Sequence, residues 1–474
     1  MKETVEVCDE FNAPGRYMIY CSGKLLQSVM AVKLYNDSKT FVDKPMKEGR
    51  VGTDVQKFVD EHFDEEGHEL CELPDWVPYP PKFKDIVDDN MRAFALKLNV
   101  IWKDLCREVK PAVKDSPERF SIINVPNPFL VLGGRFREFY YWDSRSHPPL
   151  FSPMVYEYYQ ATRDKSFVRE MLPIMEKEHD FWNRNRSLNI ELDGEAVTMY
   201  QYRTPATVPR PESYREDVFH GERLQDENRK RQFYQDIGSA AESGWDFSTR
   251  WFTDNKSLTS IETTNILPVD LNAFICYNMH IIGNLHGEVG ERFSKFREPA
   301  QDFREKFEKV FWVEKAKGWY DYNLRTQRHN TGFYASMAVP LFTQCYEPDD
   351  LYSKMEEMGV FGYKGGIPAS LQPQSGQQWD FPNGWSPLNH MIIEGLRKSS
   401  DPRMQQKAFV LAQKWLLGNL HVFENDQAMW EKYDVVSSEP KLGGGGEYDV
   451  QVSACKTLFK DLPRGWRLIH FKRS

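Results

Sequence analysis

The sequence predicts an all-α fold, an array of helical hairpins closed or layered around a core. Three observations carry this reading. Apolar residues recur at helical spacing in segments separated by loops rich in Gly, Trp and Asp. Convincing β-runs are few, and no alternation of strand and helix marks βαβ units. No linker-like stretch interrupts 120–450, so 31–450 reads as a single catalytic-size domain. It is preceded by a segment without a readable pattern, 1–30, and followed by a divergent tail, 451–474.

The elements follow in order. DNMRAFALKLNVIWKDLCREV (89–109) has apolar residues at Phe94, Leu96, Leu98, Val100, Ile101, Leu105 and Val109, read as a helix with one buried face, and Pro111 stops the run. NVPNPFLV (124–131) is a proline-broken loop. Helices are predicted over 151–163 and over 166–182, where Met171, Ile174, Met175, Phe181 and Trp182 can share a face. Residues 202–218 read as a long loop, and 212–232 includes an exposed helix. LPVDLNAFICYNMHIIG (267–283) is a strongly apolar helix with Pro268 in its first turn. Further helices are predicted over 296–316, over 332–345, in NHMIIEGLRKS (389–399) and in MQQKAFVLAQKWLLGNLHVFEN (404–425).

Composition narrows the function. Among 474 residues, 61 basic and 70 acidic side chains leave a formal charge of −9, without the basic stripe of a nucleic-acid binder. No run of apolar residues is long enough to span a membrane. The start, MKETVEVCDE, lacks the apolar core of a signal peptide. The 7 cysteines are scattered with no CxxC pair, and the 11 histidines show no ligand spacing, so no metal is expected. Asn36, Asn185 and Asn255 each open an N-x-S sequon. The chain has 13 Trp and 22 Tyr, side chains with an apolar face and a hydrogen-bonding edge. They suit a carbohydrate as well as a large core.

Two runs have the mixed character of a sugar pocket rather than of a helix face. VLGGRFREFYYWDS (131–144) sets glycines, arginines and carboxylates among Phe136, Phe139, Tyr140, Tyr141 and Trp142, and QQWDFPNGWSP lies at 377–387. In ESGWDFSTRWF (242–252), Asp246 stands beside indoles that exclude water, and desolvation disfavours the charged form of a carboxyl, which makes a usable general acid. The plainer reading is that Asp246 caps a helix beginning at Phe247 or Ser248. Glu431, in MWEKYD, is the second candidate carboxylate; an exposed turn is its plainer reading. Glycoside hydrolysis needs such a pair, one acid and one base, facing each other across the sugar. Arg135, Arg137 and Arg210 carry the donor fork that matches paired hydroxyls. GGGG (443–446) lacks the Lys-Ser/Thr of a phosphate loop and reads as a flexible flap.

GGRFREFYYWDS (133–144) and QWDFPNGWSP (378–387) resemble the two signature motifs of the trehalase family. DSKTFVDKP (37–45), RPES (210–213), ESGWDFSTRW (242–251), NILPVDLNA (265–273), GYKGGIPAS (362–370) and the EKYD…GGGGEY stretch (431–447) resemble its intervening segments, in the same order. The resemblance implies an (α/α)6 toroid and hydrolysis of α,α-trehalose to two glucoses with inversion. It implies Asp246 as general acid and Glu431 as general base. It implies Arg135, Trp142, Asp143, Arg145, Arg210, Glu212 and Gly244 as substrate-binding residues, and no cofactor. Trehalose, a small neutral disaccharide, is then the expected partner, and a secreted or cell-surface location is expected of the family, although no signal peptide is read in this chain.

The chain also departs from the family pattern. WDS (142–144) joins directly to RSHPP (145–149), where relatives carry a helical hairpin with a sugar-binding asparagine, and His147 stands where glutamine is expected. After GGGGEY the chain runs DVQVSACKTLFKDLPRGWRLIHFKRS in place of a last helix. The expectation is a toroid short of these parts, folding less stably and turning trehalose over weakly. Another inverting α-glycosidase on the same toroid, or a catalytically impaired sugar-binding relative, are the alternatives.

Overall fold

The structure, a computed structural model, describes residues 25–42, 44, 70–72, 76–105, 107–109, 147–192, 194–290, 295–345, 349–373, 375–437 and 441–444. These residues are mostly helical, as expected, and they belong to two compact units. The first unit takes the chain up to Leu70, Val109–Phe311 and Asp321–Asn330; the second takes Cys71–Glu108, Trp312–Tyr320 and the chain from Thr331.

The first unit is built around the Val269–Glu288 helix. Fourteen of its residues are buried, among them Leu271, Ile275, Cys276, Ile282 and Leu285. A helix apolar on nearly every side needs neighbours on every side. It packs against the helices Arg297–Phe311, Lys165–Asn185 and Phe151–Thr162. Local chemistry fixes where the neighbours begin. Asp164 accepts hydrogen bonds from the Ser166 and Phe167 amides (2.9 and 3.1 Å) and starts the Lys165–Asn185 helix. Asp226 accepts from the Arg229 amide (2.7 Å) and starts the Glu227–Ser243 helix. Pro268 stands one place before the core helix, as its N-cap, rather than in the first turn.

Three sequence readings change. The Ser187–Leu192 and Glu195–Tyr200 strands form an antiparallel hairpin in what read as a helical chain. The sequence carried the signal: Gly194, with φ of 83°, follows Asp193, and Asp-Gly flanked by β-prone runs favours a tight turn. The 202–218 loop ends early, in a short 3₁₀ turn (Pro211–Ser213) and the Tyr214–Gly221 helix. The 296–316 helix stops at Phe311.

The second unit centres on the Ser386–Lys398 helix, packed against Pro402–Asp426 and Val339–Thr343. Asp401 caps the long helix through the Arg403 amide (2.7 Å), with Pro402 at its first position. Phe94 of the Asp89–Leu105 helix meets Phe423 with ring centroids 5.2 Å apart. The predicted 332–345 helix is instead a 3₁₀ turn, Ala335–Ala338, followed by one short helix, Val339–Thr343, that Gln344 ends in the left-handed region. No helix among the described residues is long and apolar enough to cross a membrane.

Candidate active site

In the first unit the Glu227–Ser243 helix leads straight to the candidate acid. The helix ends because Gly244 adopts φ of 75°, a left-handed conformation that a side chain would strain, while its amide donates to the Ala241 carbonyl (3.2 Å). Trp245 is then buried and Asp246 half-buried. The next turn, Thr249–Trp251, is capped by Ser248, whose hydroxyl oxygen accepts from the Arg250 amide (3.1 Å). The capping explanation for Asp246 therefore fails: a better-placed hydroxyl does that work.

The residue before Asp246 is held at both its amide and its carbonyl. The Trp245 amide donates to the Ser243 hydroxyl (3.0 Å), and the Trp251 indole N–H donates to the Trp245 carbonyl (3.0 Å). The Arg250 guanidinium lies 4.8 Å from the Trp245 ring centroid and 4.4 Å from that of Trp251. It is fully buried and bonds two carboxylates, Asp270 (2.8 and 2.7 Å) and Asp321 (2.6 and 2.8 Å). Burial opposes its charge, but the two carboxylates win and hold its pKa above the ordinary value. One turn earlier in the helix, buried Glu242 is paired with Arg186 (Nε to Oε2, 3.2 Å).

Arg210 belongs to the same neighbourhood. Its guanidinium lies 5.2 Å from the Phe247 ring centroid, one residue past Asp246. Its amide, Nε and one terminal nitrogen all donate to Asp217 (2.9, 3.0 and 2.7 Å), a carboxylate with no exposure. Burial opposes the Arg210 charge; Asp217 chiefly, then Glu212 and Asp246, offset it and raise its pKa. Asp217 shows the reverse balance: burial raises its pKa despite the arginine. Arg210, Glu212, Gly244 and Asp246 all belong to the first unit. Sequence reasoning missed Asp217, Asp270 and Asp321. The only cue was an acid seven residues after Arg210, and nothing in the chain order links Arg250 to positions 270 and 321.

In the second unit Glu431 lies between the end of the Pro402–Asp426 helix and the Lys432–Asp434 strand. That strand pairs antiparallel with Asn383–Trp385 of the second aromatic run, Trp385 opposite Lys432 and Gly384 opposite Tyr433. The exposed-turn reading does not hold: the Glu431 side chain is 19% exposed, and the neighbouring Lys432 is wholly buried with its ammonium 4.0 Å from the Glu431 carboxylate. Lys432 also sits 5.5 Å from the Trp385 ring centroid, and Trp385 stacks on Trp379 at 3.8 Å. Gly384 is required by packing, since a Cβ there would lie 2.4 Å from Val435 Cγ1 and 2.8 Å from the Ile367 carbonyl. Asp380, fully buried, accepts from the hydroxyls of Ser370 (3.0 Å) and Ser375 (2.6 Å), which ties the second run to the GGIPAS loop. The first glycines of the flap are anchored here too. The Gly444 amide and carbonyl bond the Asn383 side chain, both at 3.0 Å, and the Gly443 amide donates to the Lys432 carbonyl (3.2 Å).

Arg135, Arg137, Trp142, Asp143 and Arg145 lie outside the described residues, as do Gly445 and Gly446 of the flap. Among the described residues no group of His, Cys, Asp and Glu could hold a metal ion.

Asp246 and Glu431, each half-buried and each next to a tryptophan in the chain, are carboxyls of the kind glycoside hydrolysis needs. The sequence model of the Trehalase family matches residues 27–145 and 144–453, two stretches that meet at the junction of WDS with RSHPP. The trehalase of Homo sapiens is 36% identical over 510 residues, covering 92% of this chain and 87% of that protein. The trehalase of Apis mellifera is 34% identical over 519 residues, covering 93% and 82%. Among solved structures, neutral trehalase Nth1 from Saccharomyces cerevisiae aligns with a TM-score of 0.49 at 19% identity, covering 62% of this chain and 59% of that one. The chain belongs to the trehalase family.

Proposed function

We propose that this protein hydrolyses α,α-trehalose to two glucoses with inversion at the attacked carbon, and that residues 31–450 work as one catalytic domain on the (α/α)6 plan. Asp246 is the general acid and Glu431 the general base. Arg210, Glu212 and Gly244 hold glucose hydroxyls, together with Arg135, Trp142, Asp143 and Arg145. The observation that carries the reading is the setting of Asp246: a half-buried carboxyl, next to a buried tryptophan whose amide and carbonyl are both hydrogen-bonded, in a motif that matches the family's.

The chemistry follows from the substrate. Trehalose is neutral and non-reducing, so its glycosidic oxygen leaves only if protonated as the bond breaks. Asp246 supplies that proton. Glu431 takes one from a water on the opposite face of the ring, and inversion requires roughly 6.5–9.5 Å between the two carboxyls to admit that water. Positive charge developing at the anomeric carbon is stabilised by nearby carboxylates, and the more so as water is excluded.

The test is hydrolysis of trehalose followed by proton NMR before mutarotation. Inversion yields one α- and one β-glucose per trehalose; two α-glucoses would reject it, and turnover of maltose at a comparable rate would reject the substrate. One observation favours a second reading, sugar binding with little turnover: the family match breaks in two at residues 144–145. Trehalose binding by calorimetry, without glucose release, would establish it.

A further inference from the structure

The geometry points to Arg250 as a positioning residue for proton donation, setting the direction of Asp246 through the two indoles that flank its guanidinium. The inference rests on the reading of Asp246 as the acid.

Arg250 sits four residues beyond Asp246, at the centre of a closed set of bonds. Its guanidinium lies within 4.8 Å of the Trp245 ring centroid and 4.4 Å of that of Trp251. Its edges are taken by Asp270 and Asp321, so the guanidinium cannot rotate without breaking at least two charge-assisted bonds. The two indoles are themselves joined, Trp251 N–H to the Trp245 carbonyl. That carbonyl belongs to the peptide that leads into Asp246. The path from the buried cation to the acid is therefore one stacked ring, one hydrogen bond and one peptide plane. The cluster has a scaffold role as well: Asp321 accepts from the Val269 amide (2.9 Å) and Asp270 from the Leu271 amide (2.8 Å), fixing the start of the core helix. Three separate stretches of chain thus meet on one cation, and the acid's backbone is referenced to the most buried helix of its unit. A general acid misplaced by a fraction of an ångström loses proton transfer before it loses substrate binding.

Lysine at 250 would keep the charge but bring neither the planar fork nor the flat face for stacking. The test separates positioning from mere folding by changing the need for a proton. Trehalose requires protonation of its leaving oxygen; α-D-glucosyl fluoride releases fluoride without it. Arg250→Lys and the milder Trp251→Phe, which deletes the N–H to Trp245 but keeps a ring, are assayed on both substrates beside Asp246→Asn, with thermal melts confirming folded protein. The expected result for Arg250→Lys is a fall in kcat on trehalose of about 10²-fold with KM little changed, and less than about threefold on the fluoride. Trp251→Phe should lose about tenfold on trehalose alone. Equal losses on both substrates in both variants would reduce Arg250 to a scaffold residue and overturn the inference, provided that Asp246→Asn shows the split. Equal losses in Asp246→Asn itself would overturn the reading of Asp246 as the acid. If Arg250→Lys does not fold, Trp251→Phe decides.

Discussion

The two candidate carboxyls are mounted differently. Asp246 follows the left-handed end of a long helix, and four residues further on Arg250 is buried in one cluster with Asp270 and Asp321. Glu431 stands at the start of a short strand, whose partners are a strand of the second aromatic run and the beginning of a glycine flap. The surroundings of Asp246 are dry and ionic. Those of Glu431 are sheet register, stacked indoles and a side-chain amide. A proton donor must keep one direction toward a leaving oxygen. A base that works through water tolerates more freedom, and anchoring beside a flap fits that requirement.

The strongest way to break this comparison is to remove either carboxyl. Asp246→Asn and Glu431→Gln should each lower kcat on trehalose by about 10²–10⁴, the worth of a positioned proton transfer, with the fold intact by circular dichroism. A variant with wild-type turnover would remove that residue from the mechanism.

Next in size is Arg210→Lys. The charge survives, but Nε and one terminal nitrogen can no longer grip Asp217 together. If Arg210 holds glucose as proposed, a loss of about 10²-fold in kcat/KM is expected, carried largely by KM, because a cation no longer fixed by Asp217 cannot aim its remaining donors at the sugar. Unchanged KM would place Arg210 outside the substrate pocket.

Asn383→Ala probes the other mounting. It removes both bonds to Gly444 and one to the Gln378 carbonyl (3.0 Å). The expected cost is about 1–3 kcal/mol of stability with faster proteolysis near residue 443. Protease resistance equal to wild type would show that the flap is anchored elsewhere.

The smallest effect concerns Glu178, buried on the Lys165–Asn185 helix, where burial pushes its carboxyl up to about 8. Between an ordinary carboxyl value near 4.3 and 8 the folded protein keeps this proton while the unfolded chain has lost it. The group therefore makes stability fall as pH rises through that window. Glu178→Gln mimics the neutral form, so it should raise Tm by about 1–4 °C at pH 8 and leave it unchanged near pH 4. An equal shift at both pH values would show that Glu178 does not titrate in this range.

Much of this was legible in the chain. The long helices were readable where apolar residues recur at helical spacing, as in Lys165–Asn185, Val269–Glu288 and Pro402–Asp426, whereas most of Glu227–Ser243 was not. Motif order gave Asp246, Glu431, Arg210 and Glu212 before any geometry. The Ser187–Tyr200 hairpin was missed because its strands are short and half-exposed, though Asp193-Gly194 was there to be read. The supports were invisible for another reason: Asp217, Asp270 and Asp321 are ordinary acids in sequence, and only folding brings each against its arginine. A functional side chain can announce itself by its neighbours in the chain, whereas what holds it comes from anywhere.

The division of labour between the two carboxyls is tested most directly by assaying Asp246→Asn and Glu431→Gln on trehalose and on α-D-glucosyl fluoride. The acid variant should recover most of its lost turnover on the fluoride, which needs no proton, and the base variant should stay inactive on both. Recovery of the Glu431 variant alone, or of neither, would contradict the assignment.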